Sequence, residues 1–318
     1  MRGSARQSRG AREGPEGREG RERREGRERR ESCLVGLIGS GVGPSLSPAL
    51  HQREADRHGL RYLYRLIDID PLGLGPDGVG ELVRAAARLG FDGLNITHPC
   101  KQTVIGHLDG LSEDAALLGA VNTVVFGEDG RAIGHNTDGS GFARSFARGL
   151  PDAPTGEIVL LGAGGAGSAV AHALLTVGAD RLTLADTDPA RAAGLAGTLA
   201  ARFGAARVRT VAPAGLPAAV GGADGLVHAT PTGMAAHPGL PLPVELLRAG
   251  LWVAEVVYRP LETPLLAAAR AAGCRTLDGG GMAVFQAADA FRLFTGREPD
   301  ATRMLTDLSD LLELPAGG

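Results

Sequence analysis

Glu157-Ile158-Val159-Leu160-Leu161-Gly162-Ala163-Gly164-Gly165-Ala166-Gly167-Ser168 is the stretch from which the fold of this chain is read. Five residues, mostly apolar, suit a buried strand, and Gly162, Gly164 and Gly167 match G-x-G-x-x-G where a strand turns into a helix. The first glycine permits the tight turn, the second lets backbone approach a pyrophosphate, and the third allows close helix packing. Ala163, Gly165 and Ala166 fill the loop, whose free N–H groups at the helix N-terminus favour an anion. Nineteen residues past Gly167 comes Asp186, at the end of the next strand, the place for an acid that holds ribose hydroxyls.

Working outward, strands are expected at 181–185, 207–211, 225–228, 251–256 and 275–277, alternating with Ala-rich helices as in a doubly wound parallel sheet. Upstream, strands at 34–38, 62–69 and 91–96 alternate with helices at 47–58 and 78–89. A helical stretch at 112–118 then leads to a hairpin turning at Glu128-Asp129-Gly130. The class is α/β, with a first unit over 33–137 and a Rossmann-type dinucleotide-binding unit over 138–279. Two helices, at 282–294 and 300–312, follow the dinucleotide unit and are expected to fold back, so that 280–318 completes the first domain. Residues 1–32 repeat Arg, Glu and Gly without apolar periodicity and read as a disordered tail.

At 318 residues, 43% apolar and 22% charged, the chain has the composition of a soluble protein with a sizeable core. No apolar run reaches the length of a membrane span, and the N-terminus lacks the apolar stretch of a secretory signal. Residues 1–31 hold eleven Arg and seven Glu, leaving about −7 of the net −3 on the body, too acidic for a nucleic-acid binder. Small molecules are the expected partners. Cys33, Cys100 and Cys274 are odd in number and far apart, neither a disulfide framework nor a metal pattern, which points to a reducing, cytoplasmic compartment. His98, His107, His228 and His237 show no metal-ligand spacing and are read as structural; no metal is expected.

Of 33 basic residues, 32 are Arg and one, at position 101, is Lys. Arg keeps its proton at neutral pH, whereas a Lys amine can be tuned to exchange one. Lys101 sits in Asn95-Ile96-Thr97-His98-Pro99-Cys100-Lys101, just after a strand, on the edge where open α/β sheets bind ligands. Asn122-Thr123 and Asn136-Thr137-Asp138-Gly139 also fall at strand ends. Asn-Thr-Asp alone commonly caps a helix, but Asp138 beside Lys101 would form a pair able to pass a proton at an alcohol or ketone while a nicotinamide takes or gives hydride. Ser47-Pro48 reads as the N-cap and first-turn pair of the helix that follows, and Ser45-Leu46-Ser47-Pro48 thus sets two hydroxyls at a helix N-terminus, suited to a carboxylate.

Together these motifs resemble the shikimate dehydrogenase family from about Leu34 to about Leu312, with Gly119-Ala120-Val121-Asn122-Thr123, Tyr258, Gly281-Met282 and Gln286-Ala287 adding to the match. The resemblance implies reversible NAD(P)-dependent oxidation of shikimate at its C3 hydroxyl to 3-dehydroshikimate, by a monomer or homodimer, with 33–137 as the substrate-binding domain and the active site in the cleft between it and the dinucleotide-binding domain. Lys101 and Asp138 match the family's catalytic pair. Ser45, Ser47 and Tyr258 match its carboxylate-binding positions, and Thr97, Asn122, Asp138 and Gln286 those around the ring hydroxyls. The glycine loop, Asp186, Thr230, Val256 and Gly279 match its cofactor contacts. Ala185-Asp186-Thr187 stands where NADP-dependent members usually carry Asn-Arg-Thr, so NAD is expected to be favoured; Arg191, on the following helix, is the group that could answer a 2′-phosphate. With His98-Pro99, the sequence is most similar to NAD-preferring quinate/shikimate dehydrogenases. Quinate is therefore a second expected substrate, although Ser rather than Thr at position 47 keeps shikimate first. A related amino-acid or folate dehydrogenase would not need the paired serines, and a non-catalytic NAD-binding regulator would lose the Lys-Asp pair.

Overall fold

Two six-stranded sheets carry the molecule, and in each the continuous apolar runs are the central strands. The computed structural model describes residues 32–313; the expected disordered tail lies outside the described residues except for Ser32, which opens the first strand, and residues 314–318 also lie outside them.

In the first sheet, β1 (Ser32–Gly39) is flanked in parallel by β2 (Arg61–Asp68) and β3 (Gly93–Ile96). β1 is buried along nearly its whole length, as a strand covered on both faces should be. β2 is the edge strand and reads by alternation: Tyr62 is buried, whereas Leu63 faces out. The expected hairpin forms β5 (Thr123–Phe126) and β6 (Ala132–His135), antiparallel to each other, with β5 antiparallel to β3. Gly130 closes its turn in the left-handed region at φ 76°. The sheet is thus mixed. A sixth strand, β4 (Gly110–Leu111), pairs with β6 and had no counterpart in the sequence reading, because two residues carry no periodicity.

Helices α1 (Ser47–Arg57), α2 (Val79–Arg88) and α3 (Glu113–Leu118) connect these strands, and α4 (Asp138–Gly149) leads out of the sheet. The second sheet is parallel throughout, in the order β12 (Arg275–Leu277), β11 (Trp252–Glu255), β10 (Gly225–His228), β7 (Glu157–Leu161), β8 (Arg181–Ala185), β9 (Val208–Thr210). The order reverses beside β7, between β10 and β8, and the crevice for a dinucleotide opens at such a switch point. Helices α5 (Gly165–Thr176), α6 (Pro189–Phe203), α7 (Leu216–Gly221) and α8 (Pro264–Ala271) cover it.

The last two helices are α9 (Gly280–Thr295) and α10 (Ala301–Glu313). α9 is apolar on several sides because it has several neighbours. Phe291 and Phe294 enter the cluster of Val35 and Tyr62 in the first sheet, Val284 and Ala287 meet Leu50 of α1, and Met282 joins Phe142 and Leu174 in the core of the second. Added on Gly93, a Cβ would lie 2.3 Å from the Phe294 ring, so that strand position must be Gly for α9 to seat. Among the described residues, no helix is long and apolar enough to cross a membrane.

Candidate active site

Lys101 lies in the turn after β3 and Asp138 opens α4 after β6. Their charged atoms meet at 2.6 Å, with only 16% and 7% of the side chains exposed. Asp138 is not the helix cap that an isolated Asn-Thr-Asp suggests. Asn136 Oδ1 instead accepts from the Asp138 and Gly139 N–H groups at 3.0 and 3.3 Å, which frees the Asp138 carboxylate to face Lys101. Asn122 Nδ2 donates to the other carboxylate oxygen at 2.9 Å, and Asn122 Oδ1 accepts from Thr137 N at 2.8 Å. The Lys101 carbonyl is tied to Val121 N at 2.8 Å, so three strand ends are laced into one edge. Burial, with His237 and Lys101 close by, lowers the His98 imidazole below its ordinary range.

Ser45 and Ser47 sit at the start of α1. Leu46, not Ser47, is the capping residue; Ser47 is the first helical residue, with its N–H taken by Ser45 Oγ at 3.2 Å. Burial, and then Tyr258, push the phenol of Tyr64 above its usual range, while the Ser47 hydroxyl opposes the shift. Tyr64 in turn donates to Asn95 Oδ1 at 2.8 Å. Asn95 Nδ2 reaches Asn122 O and Thr123 Oγ1 at 3.3 and 3.2 Å. A continuous polar chain therefore joins Tyr64 to the Lys101–Asp138 pair. Thr97 packs on Gly39, where a Cβ would meet its methyl at 2.3 Å. Gln286, on α9, crosses Gly141 of α4 at the distance of backbone contact, one turn from Asp138; its amide donates to Ala283 O at 2.9 Å.

The second sheet contributes the crevice. Gly162 is in the left-handed region at φ 103°, and a Cβ on Gly167 would lie 2.0 Å from Gly162 O. Nothing approaches the Cβ position of Gly164, so the loop is closed behind and open in front, a cradle that fits a pyrophosphate. A Cβ on Gly165 would lie 3.1 Å from Lys101 Cβ, which brings the glycine loop to the edge of the first sheet that carries Lys101. Ala163 and Ala166 complete the loop between these glycines. A cavity of about 370 Å³ opens beside it, bordered by Gly119, Ala163, Ser168 and Arg191 among others.

Asp186 Oδ2 accepts from Ala163 N at 2.7 Å and Oδ1 from Asp188 N at 2.8 Å, fixing the carboxylate against the loop. Arg191 reaches the same carboxylate at 3.5 Å while half exposed. Thr230 stands at the end of β10 with its methyl 2.9 Å from where a Gly162 Cβ would be. Gly279 abuts the Val256 carbonyl, which a Cβ would approach to 2.5 Å.

Two participants escaped the sequence reading. Tyr64 carries no motif and shows only as one residue of an alternating strand, and Asn95 was quoted as part of Asn-Ile-Thr without a role of its own. Their significance lies in what they touch, which spacing along the chain does not reveal.

The chain matches the family described as shikimate dehydrogenase substrate binding domain over residues 37–124, and that described as shikimate 5′-dehydrogenase C-terminal domain over residues 279–306. It is 72% identical to a shikimate dehydrogenase (NADP(+)) of Streptomyces avermitilis, over 88% of this chain and 96% of that one. It is 52% identical to a quinate/shikimate dehydrogenase (NAD(+)) of Corynebacterium efficiens, over 86% and 96%. Among solved structures, quinate dehydrogenase from Corynebacterium glutamicum in complex with NAD superposes with a TM-score of 0.80 at 50% identity, covering 88% of this chain and 99% of that one. With strand order, crevice and sequence in agreement, the chain belongs to the shikimate dehydrogenase family.

Proposed function

We propose that this protein is a shikimate dehydrogenase that also oxidises quinate, reversibly, with NAD favoured over NADP. The observation that carries the reading is the 2.6 Å Lys101–Asp138 contact beside the glycine loop. Shikimate is anchored by its carboxylate at Ser45, Ser47 and Tyr258, with Thr97, Asn122 and Gln286 around the ring hydroxyls. This sets the C3 hydroxyl against Lys101 and Asp138. A bound nicotinamide dinucleotide supplies the hydride acceptor. Lys101, in the neutral form that the transfer requires, takes the hydroxyl proton as hydride leaves C3 and C3 becomes a carbonyl, and returns it in the reverse direction. Asp138 holds the amine on the reacting oxygen, and Asn122 holds Asp138.

The preference for NAD rests on Asp186, whose carboxylate accepts ribose hydroxyls and repels a 2′-phosphate. Arg191, 3.5 Å away and half exposed, is the group through which NADP would be accommodated as the second cofactor. Gly162 to Gly167 cradle the pyrophosphate, and Thr230, Val256 and Gly279 line the nicotinamide half. Three buried cysteines, Cys33, Cys100 and Cys274, suit a reducing cytoplasm. Initial rates over a two-by-two grid of shikimate or quinate with NAD or NADP test the reading. Highest kcat/KM with NAD and turnover of both acids are expected. Absence of turnover in every cell would overturn it.

A further inference from the structure

Arg259 follows Tyr258 in the segment that leaves β11 of the second sheet, yet its guanidinium reaches the first sheet. Its Nη1 donates to the Pro44 carbonyl, 215 positions away, in the loop between β1 and α1. That carbonyl belongs to the peptide that enters Ser45. Arg259 therefore sits where the two sides of the expected carboxylate site meet, Ser45 and Ser47 on one side and Tyr258 on the other. The segment that carries it is fixed from behind. His228 and Glu255 end β10 and β11 with Nδ1 2.9 Å from the buried carboxylate, which also accepts from Val257 N at 3.0 Å.

The loop has its own anchors and does not need Arg259 to keep its shape. Ser40 N donates to His98 O and Ser45 N to Val42 O, both at 2.9 Å, and Gly41 N donates to the Asp68 and Asp70 carboxylates at 3.1 Å. Ser45 Oγ accepts from Ser47 N at 3.2 Å. What Arg259 brings is charge, which an arginine keeps at any working pH. It is partly buried, its one hydrogen-bond partner among the described residues is the neutral Pro44 carbonyl, and no carboxylate pairs with it. Lys101, by contrast, is engaged by Asp138. Ser45, Ser47 and Tyr258 are neutral donors, which bond to an oxygen of an ester or an amide as readily as to one of a carboxylate. At the far end of the same loop, Asp68 and Asp70 place negative charge that works against an anion.

We propose that Arg259 is a specificity-determining residue for the acid end of the substrate, the cation that makes this site prefer a ring carrying a free carboxylate to the same ring without the charge. The bond to Pro44 sets where that charge sits. Coulomb attraction across the length of one peptide needs no direct bond to the substrate, so the preference follows from the position of the guanidinium. Shikimate and quinate share the carboxylate, and the same residue serves both.

The inference rests on the reading of the site as one for shikimate and quinate, and its test separates the two. Initial rates of the full chain at saturating NAD are measured with shikimate, and with its methyl ester as substrate or as competitor of shikimate. Arg259→Met removes the charge and keeps the stem. It is expected to raise the shikimate KM about tenfold, the worth of one contact to a charged group, with kcat within about threefold. The constant for the ester, which offers no charge, is expected to shift by about twofold or less, so the preference for acid over ester shrinks. Arg259→Gln, shorter and neutral, is expected to match Arg259→Met, and Arg259→Lys, which keeps the charge, to restore most of the preference. An unchanged shikimate KM in either neutral variant overturns the inference. So does an equal rise for acid and ester, which would make Arg259 a structural residue only. Wild-type protein that turns over neither shikimate nor quinate overturns the reading of the site and the inference with it.

Discussion

Lys101 Nζ stands 2.6 Å from Asp138 Oδ2, although the two residues come from different strand ends and are 37 positions apart. The contact is held from both sides: the Lys101 carbonyl by Val121 N, and the Asp138 carboxylate by Asn122. A lysine so placed acts mainly on a proton that moves in the transition state. Lys101→Ala is therefore expected to lower kcat by about 10²- to 10⁴-fold with little change in shikimate KM. Steady-state kinetics at saturating cofactor check this, and near-normal turnover would remove Lys101 from the proton-transfer role.

In the proposed reading, cofactor choice turns on one acid just past β8 and one basic residue on α6. Asp186 is pinned to the glycine loop through Ala163 N, so its charge cannot swing away from an incoming ribose. Arg191 is half exposed and can. Asp186→Ala is expected to reduce kcat/KM with NAD by about tenfold, the worth of charge-assisted hydrogen bonds to a ribose, and to reduce it far less with NADP. Arg191→Ala is expected to do the reverse. Equal losses with both cofactors in Asp186→Ala would show that the acid does not read the ribose.

Tyr64 gives a prediction of a different kind, because it touches the expected substrate groups without belonging to any motif. Its hydroxyl donates to Asn95 Oδ1, and Tyr258 and Ser47 are near enough to bias its ionisation in opposite directions. Tyr64→Phe leaves a buried acceptor without its donor, at a cost of about 1–3 kcal/mol. Thermal unfolding should show that loss, and the shikimate KM should rise as Ser47 and Asn95 lose their common reference point. A fall in Tm with unchanged KM would confine Tyr64 to structure.

What the sequence made legible follows from the range of the physics involved. β7 with the glycine loop, β8 with Asp186 at its end, and β10 were readable to the residue, because strand, turn and helix start are encoded by neighbours a few positions apart. Position 101 stood out because a chain that uses Arg everywhere else used Lys there. Ser47 was misread by one step as a cap, since Ser-Pro suits both the cap and the first turn. Tyr64, Asn95 and the Glu255–His228 pair were invisible as a network because their partners lie on other strands. Residue type alone does not say which strand will be adjacent.

Behind the substrate side of the first sheet, His51 is enclosed by Tyr62, Tyr64, Phe291 and Phe294, with Nδ1 at 2.9 Å from the Tyr62 hydroxyl and Nε2 without a partner among the described residues. Burial lowers its pKa from 6.5 to about 3. In the unfolded chain the ring takes up a proton as the pH falls through 6.5, whereas the folded ring refuses it until about 3, so stability present above 6.5 is lost progressively as pH falls across that window. By pH 5 the loss from this one ring amounts to about 2 kcal/mol. Denaturant unfolding at pH 7 and pH 5, on wild type and on His51→Phe, isolates it, because His98, His135 and His172, which burial also lowers, are common to both proteins. The variant starts less stable, having lost the bond to Tyr62, but its stability should drop by about 2 kcal/mol less between the two pH values. An equal drop in both proteins would show that the His51 ring is not what acid attacks.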